Sequence, residues 1–167
     1  MPVCGFAGIP GPERRAKIQR RSQAARRIGS PQPLLVRIYF AGSIRGGRQD
    51  ADVYLQLVAE LDKYGEVLTE HVATIGEEEL SDSEIFVRDL EWLTNCDAVV
   101  AEVTTPSLGV GYEIGVAQSL GIPVLCLYRP APQRRLSAML GGNPGIRVSE
   151  YYSVGEAAQL LGEWFPQ

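Results

Sequence analysis

The chain has 167 residues, a mean hydropathy of -0.05 and ordinary aliphatic and aromatic content, which suits one globular domain with a sizeable core. No apolar run approaches the roughly 20 residues that span a bilayer, and the first residues lack the apolar stretch of a secretory signal, so no membrane partner is expected. The net charge of -4 conceals an asymmetry: residues 1–33 hold seven basic side chains (Arg14, Arg15, Lys17, Arg20, Arg21, Arg26, Arg27) and one acid, Glu13, while the rest holds 9 basic and 19 acidic residues, a net of -10.

Residues 1–33 are therefore expected to form a basic, disordered tail, and residues 34–167 a single α/β domain. The acidic body argues against polymeric nucleic acid as a partner. The location expected is cytoplasm and/or nucleus, with a mitochondrial presequence as the other reading of an Arg-rich, acid-poor segment. Cys4, Cys96 and Cys126 are odd in number and lack a C-x-x-C pair, so they read as small core side chains in a reducing compartment. With His71 as the single histidine, no metal and no cofactor are expected.

After Pro31 and Pro33, residues 34–40 are rich in branched and aromatic side chains and predict the first strand. The segment Gly42-Ser43-Ile44-Arg45-Gly46-Gly47-Arg48 reads as a loop. Val53, Leu57, Val58 and Leu61 have helical spacing over 52–63, with Gly65 as the expected C-cap, and the second strand is expected at 66–71. Ser81 and Glu84 have capping-box spacing and open a helix to about residue 95. Residues 98–103 predict a buried strand, 110–120 a helix stopped by Gly121, and 123–128 a continuous apolar central strand. A short helix at 134–140, an edge strand at 146–148 and a closing helix at 155–165 complete the pattern.

Alternating strands and helices imply right-handed βαβ units: a flavodoxin-like or Rossmann-like three-layer sandwich on a five-stranded parallel sheet of order 2-1-3-4-5. In that order the ligand crevice lies at the C-terminal ends of strands one and three. Those ends carry the GSIRGGR loop and the segment 104–115, TTPSLGVGYEIG.

Gly42, Gly46 and Gly47 allow close backbone approach to a ligand, Ser43 offers a hydroxyl, and Arg45 and Arg48 offer forked donors suited to phosphate oxygens. The spacing matches neither a P-loop nor a dinucleotide fingerprint. In the second segment a strand, a Gly/Ser loop and a helix start near Val110 would gather unpaired N–H groups at one spot. Glu113 would fall in the first turn of that helix, where the dipole favours the ionised form. Asp89 falls within the apolar stripe of Ile85, Phe86, Leu90, Trp92 and Leu93, with Arg88 and Glu91 on the wet face. An inward carboxylate must be hydrogen-bonded, ion-paired or raised in pKa. Two carboxylates tuned apart suit a nucleophile and an acid, as in retaining glycoside hydrolysis. Tyr39 could reach the crevice or serve as a core tyrosine, and His71 reads as a loop histidine or a base contact.

At these residues the chain resembles a family. YFAGSIRGG, LTEHV, DLEWL, AEVTTPSLGVGYEIG, VLCLYRP and LSAM, in unbroken order over about residues 36–165, are similar to the 2'-deoxynucleoside 5'-monophosphate N-glycosidases of the nucleoside 2-deoxyribosyltransferase superfamily. The resemblance implies hydrolysis of a deoxynucleoside monophosphate to free base and 2-deoxyribose 5-phosphate, as nucleotide-pool sanitation, with 5-hydroxymethyl-dUMP a candidate substrate. It implies Glu113 as the nucleophile on the sugar C1', Asp89 as the group assisting the departing base, and Tyr39 as a positioning group. Ser43, Arg45, the adjoining glycine amides, Ser107 and Gly109 would hold the 5'-phosphate. Ser137, Ala138 and Met139 would reach the site of a neighbouring subunit, which implies a homodimer with shared sites. The segment after His71 and the tail depart from the pattern, and base preference and location turn on them. The alternatives are a ribonucleotide phosphoribohydrolase and a non-catalytic nucleotide-binding sensor.

Overall fold

The computed structural model describes residues 36–43, 50–69, 80–132 and 135–165. Residues 1–33, Ile44, Arg45, Gly46, Gly47, Arg48 and His71 lie outside them. The described chain runs β1 (Val36–Ala41), α1 (Ala51–Leu61), β2 (Gly65–Val67), α2 (Asp82–Asn95), β3 (Ala98–Glu102), α3 (Leu108–Ser119), β4 (Val124–Tyr128), α4 (Ala138–Gly141), β5 (Arg147–Glu150) and α5 (Val154–Trp164). The strands form one parallel sheet in the order β2-β1-β3-β4-β5, as the alternation of elements predicts.

Both sheet faces are covered, which is why β3 and β4 are buried along their whole length. Successive residues of β1 divide between the faces: Ile38 and Phe40 pack with Tyr54, Leu57 and Leu61 of α1 and Ala157 and Leu161 of α5. Tyr39 and Ala41 pack instead with Leu93 of α2 and Val110, Ile114 and Ala117 of α3. Cys96 and Cys126 are buried and free, and burial pushes both thiols up to about 12, as befits core side chains rather than reactive ones.

Several boundaries differ from the sequence reading. Gly65 opens β2 instead of capping α1, whose end is closed by a tight turn in which the Tyr64 N–H bonds the Leu61 carbonyl at 2.9 Å. A Cβ built on Gly65 would stand 1.9 Å from the Val36 carbonyl oxygen, so close pairing with β1 requires glycine there. β2 is only three residues long and stops before Thr69, whose hydroxyl accepts the N–H of Phe40 at 2.8 Å and donates to its carbonyl at 2.7 Å. That side chain occupies the β1 groups a longer ladder would use. The capping box of Ser81 and Glu84 is present, and Gly121 takes a φ of 72° just after α3. The short helix, predicted at 134–140, begins only at Ala138, and β5 sits later than expected, ending at Glu150.

Candidate active site

Tyr39 is 2% exposed in the middle of β1 and directs its ring into the α2–α3 layer. Its hydroxyl donates to Glu113 Oε1 at 2.8 Å. Burial, followed by the Glu113 charge, pushes the Tyr39 pKa well above the ordinary phenolic value, so the group stays a donor. Glu113 is itself half-buried, and burial raises its carboxyl above the usual carboxylate range. The Tyr39 hydrogen bond lowers it and the nearby Asp89 charge raises it further. Asp89 also acts on Tyr39, so the three side chains form one electrostatic unit.

This inverts one expectation. The Ser107 hydroxyl accepts the Val110 N–H at 3.4 Å, so α3 starts at Leu108 rather than near Val110. Glu113 consequently stands in the second turn, no acidic residue lies in the first, and burial rather than the helix dipole sets its tuning. The carboxylate is not beside the helix N-terminus but further along its inward face.

Asp89 faces inward as periodicity predicts, yet Arg88 is not on the wet face. Arg88 lies 4.7 Å over the Trp92 ring and places Nε and Nη2 each 2.9 Å from Asp89 Oδ1. The expected apolar stripe is also only partly buried: Leu93 is enclosed, whereas Phe86 is 47% exposed beside Tyr112, with ring centroids 6.3 Å apart.

Gly42 and Ser43 are buried at the end of β1, and the Ser43 N–H donates to the Tyr54 hydroxyl at 3.2 Å. A Cβ on Gly42 would meet the Tyr54 ring at 3.0 Å, which explains glycine there. Ser107 and Gly109 lie at the start of α3, with Leu108 between them 96% exposed. Ser137, Ala138 and Met139 open α4 on the surface, and the hydrogen bonds of Ser137 stay within that helix. The structure thus gathers Tyr39, Asp89 and Glu113, and leaves Ser137, Ala138 and Met139 of the α4 segment exposed.

A further polar group escaped sequence reading: Asp50, Glu102, Thr104, Arg129 and Tyr151 meet at the C-terminal ends of the strands. Glu102 is read from sequence as part of an apolar run, and only its place on the same strand face as Val100 signals that it is buried. A cavity of about 330 Å³ lined by Val36, Asp97, Ala98, Pro123, Trp164 and Phe165 opens at the opposite, N-terminal ends of the strands.

The family described as Nucleoside 2-deoxyribosyltransferase matches residues 38–149. The chain is 51% identical over 136 residues to the 5-hydroxymethyl-dUMP N-hydrolase of Rattus norvegicus, covering 77% of this chain and 83% of that protein. It is 46% identical over 158 residues to the protein of the same name from Homo sapiens, covering 90% and 89%. A solved Clostridium botulinum CMP N-glycosidase shares the fold, with a TM-score of 0.57 and 22% identity, covering 76% of this chain and 98% of that one. The match runs from Ile38 in β1 to Ser149 in β5, and takes in every one of Tyr39, Asp89 and Glu113: this chain belongs to the nucleoside 2-deoxyribosyltransferase family.

Proposed function

We propose that this protein hydrolyses the N-glycosidic bond of 2'-deoxynucleoside 5'-monophosphates, releasing the base and 2-deoxyribose 5-phosphate. The observation that carries the reading is the Tyr39–Glu113 hydrogen bond with Asp89 alongside, inside a family whose relatives at about half identity are named N-hydrolases of a deoxynucleotide. A buried carboxylate held by one phenol and flanked by a second acid suits covalent glycosyl transfer to water.

In the proposed sequence a Glu113 oxygen bonds C1' as the C1'–N bond breaks, and the bonding pair leaves with the base. Asp89 takes up a proton from solvent and passes it to the departing base; its two contacts to Arg88 fall on Oδ1. Water then attacks C1', its proton passes to Asp89, and the Glu113 carboxylate is regenerated. Tyr39 holds the attacking carboxylate in one orientation and stabilises its charge before attack. Ser43, Arg45, the neighbouring glycine amides, Ser107 and Gly109 hold the 5'-phosphate, with Ile44 and Arg48 in the same loop and His71 toward the base.

The assembly proposed is a homodimer in which Ser137, Ala138 and Met139 complete the partner's site. Its support is the exposure of large apolar side chains around the helices of this layer, Leu108 at 96% and Met139 at 80%. The protein acts in the cytoplasm and/or nucleus. Purified protein is incubated with matched dNMPs, 5-hydroxymethyl-dUMP and NMPs, and free base is followed by chromatography beside Glu113→Gln. Base release from the deoxy substrates alone, lost in the variant, is expected. Turnover retained in Glu113→Gln would remove the mechanism, and a monomer by sedimentation that is fully active would remove the shared site.

A further inference from the structure

The polar cluster at the C-terminal ends of the strands takes no part in the chemistry above, and its connections are specific. Glu102, the last residue of β3, is fully buried, and its Oε1 accepts from the Thr104 hydroxyl and from the Tyr151 hydroxyl at 3.0 Å. Arg129, the residue after β4, places Nε 3.7 Å from that same oxygen and Nη2 2.5 Å from Asp50 Oδ1. Asp50 Oδ2 accepts from the Thr105 hydroxyl at 3.1 Å, and the Arg129 backbone N–H donates to the Thr104 hydroxyl at 2.8 Å. Arg129 also lies 5.6 Å over the Tyr151 ring.

These bonds end on two loops. Asp50 stands at the start of α1, directly after the Gly-rich segment, and the Tyr54 hydroxyl one turn later holds the Ser43 N–H at the other side of that segment. Thr104 and Thr105 begin the loop that ends in the Ser107 cap of α3. Arg129 therefore joins Asp50, through its guanidinium, to Thr104, through its backbone N–H, Asp50 itself holds Thr105, and the buried Glu102 links Thr104 to Tyr151 just after β5. Burying two acids and one base costs free energy that packed apolar groups would spare, so such a cluster is kept for what it holds in place.

We propose that Arg129 and Glu102 are positioning residues for the substrate's 5'-phosphate, setting the spacing of the β1 and β3 loops without touching the reacting atoms. The inference rests on the proposed function in one respect, that these two loops hold the phosphate. Burial raises the Glu102 carboxyl above the usual carboxylate range, and Asp50 balances the charge of Arg129.

The test compares wild type with Arg129→Met, Arg129→Lys, Thr105→Val and Glu102→Gln. It reads kcat and KM for base release from dGMP and 5-hydroxymethyl-dUMP, and inorganic phosphate binding by titration calorimetry. Loss of a charged hydrogen-bonded tie predicts that Arg129→Met raises KM and weakens phosphate binding by roughly tenfold or more, with kcat within about threefold. Arg129→Lys falls between Arg129→Met and wild type, because one cationic donor to Asp50 remains. Glu102→Gln, which keeps an acceptor for Thr104 and Tyr151, stays near wild type. If the Arg129 variants do not fold, Thr105→Val carries the test, with a smaller rise in KM and in the phosphate dissociation constant at unchanged kcat. A fall in kcat with KM and phosphate affinity unchanged overturns the inference. So does a wild type that releases base but binds no inorganic phosphate. A wild type that binds phosphate more tightly than Arg129→Met yet releases no base defeats the proposed reaction and leaves the positioning role standing.

Discussion

Tyr39 and Glu113 lie 74 positions apart in sequence and are joined by a 2.8 Å hydrogen bond from the phenol to Oε1. The tyrosine is fixed by an interior strand of the sheet and the glutamate by the second turn of α3, so neither partner swings freely. Hydrogen bonds to charged groups contribute about 1.5–3 kcal/mol, and each 1.36 kcal/mol is tenfold in rate. Tyr39→Phe is therefore expected to lower kcat by roughly 10- to 100-fold.

The same bond sets the pH profile. Burial raises the Glu113 carboxyl and the Tyr39 hydrogen bond opposes that rise, while the proposed attack requires the ionised form. Base release should fall as pH drops, with its acid limb above the usual carboxylate range, and Tyr39→Phe should move that limb to still higher pH. A kcat/KM profile of both proteins checks the direction, since that profile reports groups of the free enzyme.

Glu113 also opposes folding near neutrality. Its folded carboxyl has a raised pKa, so between the unfolded and folded values the native state binds more protons than the unfolded state, and stability falls as pH rises through that window. Below the unfolded value the burden is gone, because both states are protonated. Glu113→Gln should thus abolish base release while raising Tm at neutral pH by a few degrees, on a scale of about 2–4 °C per kcal/mol for a chain of this size. The gain should vanish under acid conditions. Thermal melts at two pH values, read beside a base-release assay, separate the lost chemistry from the gained stability.

Asp89→Asn retains the size of the side chain but cannot donate a proton as a carboxylic acid does. A positioned acid contributes typically about 10²- to 10⁴-fold, so a loss of that order in kcat is expected with natural bases. Substrates whose base leaves without protonation should lose far less. Comparing a poor and a good leaving base in both proteins tests this; equal losses for the two would assign Asp89 to positioning instead.

Gly65→Ala should be among the most damaging small substitutions in the domain. The added methyl group would press on the Val36 carbonyl in a backbone pairing that cannot give way as a side chain can. Overpacking costs typically about 1–3 kcal/mol, and the rigid neighbour places this site at the upper end or beyond. Urea unfolding measures it.

The sheet order, the capping box and the inward turn of Asp89 were legible because each follows from local pattern: alternating elements, a Ser-x-x-Glu spacing and helical periodicity. The start of α3 was not, because Gly109 and Gly111 resemble loop residues while burial of Val110, Ile114 and Ala117 makes them helical. That shift of about two residues moved Glu113 out of the first turn and let desolvation override the dipole. Arg88 was misplaced for a different reason. Helical angle says where a Cβ points, but a long guanidinium can fold back across Trp92 to reach Asp89. The cluster of Asp50, Glu102, Arg129 and Tyr151 joins residues up to about a hundred positions apart, a distance over which no local period operates.

Tyr39 and Phe40 are neighbours in sequence but enter different cores. The sheet is thus a partition wall: Glu113 and Tyr39 work in one room, and Glu102, Tyr54 and Tyr151 stand in the other. Sites without shared partners combine additively in free energy. A protein with its Tyr39–Glu113 pair and its Glu102–Tyr151 pair on opposite sides of one sheet can vary the packing around either without repacking the other.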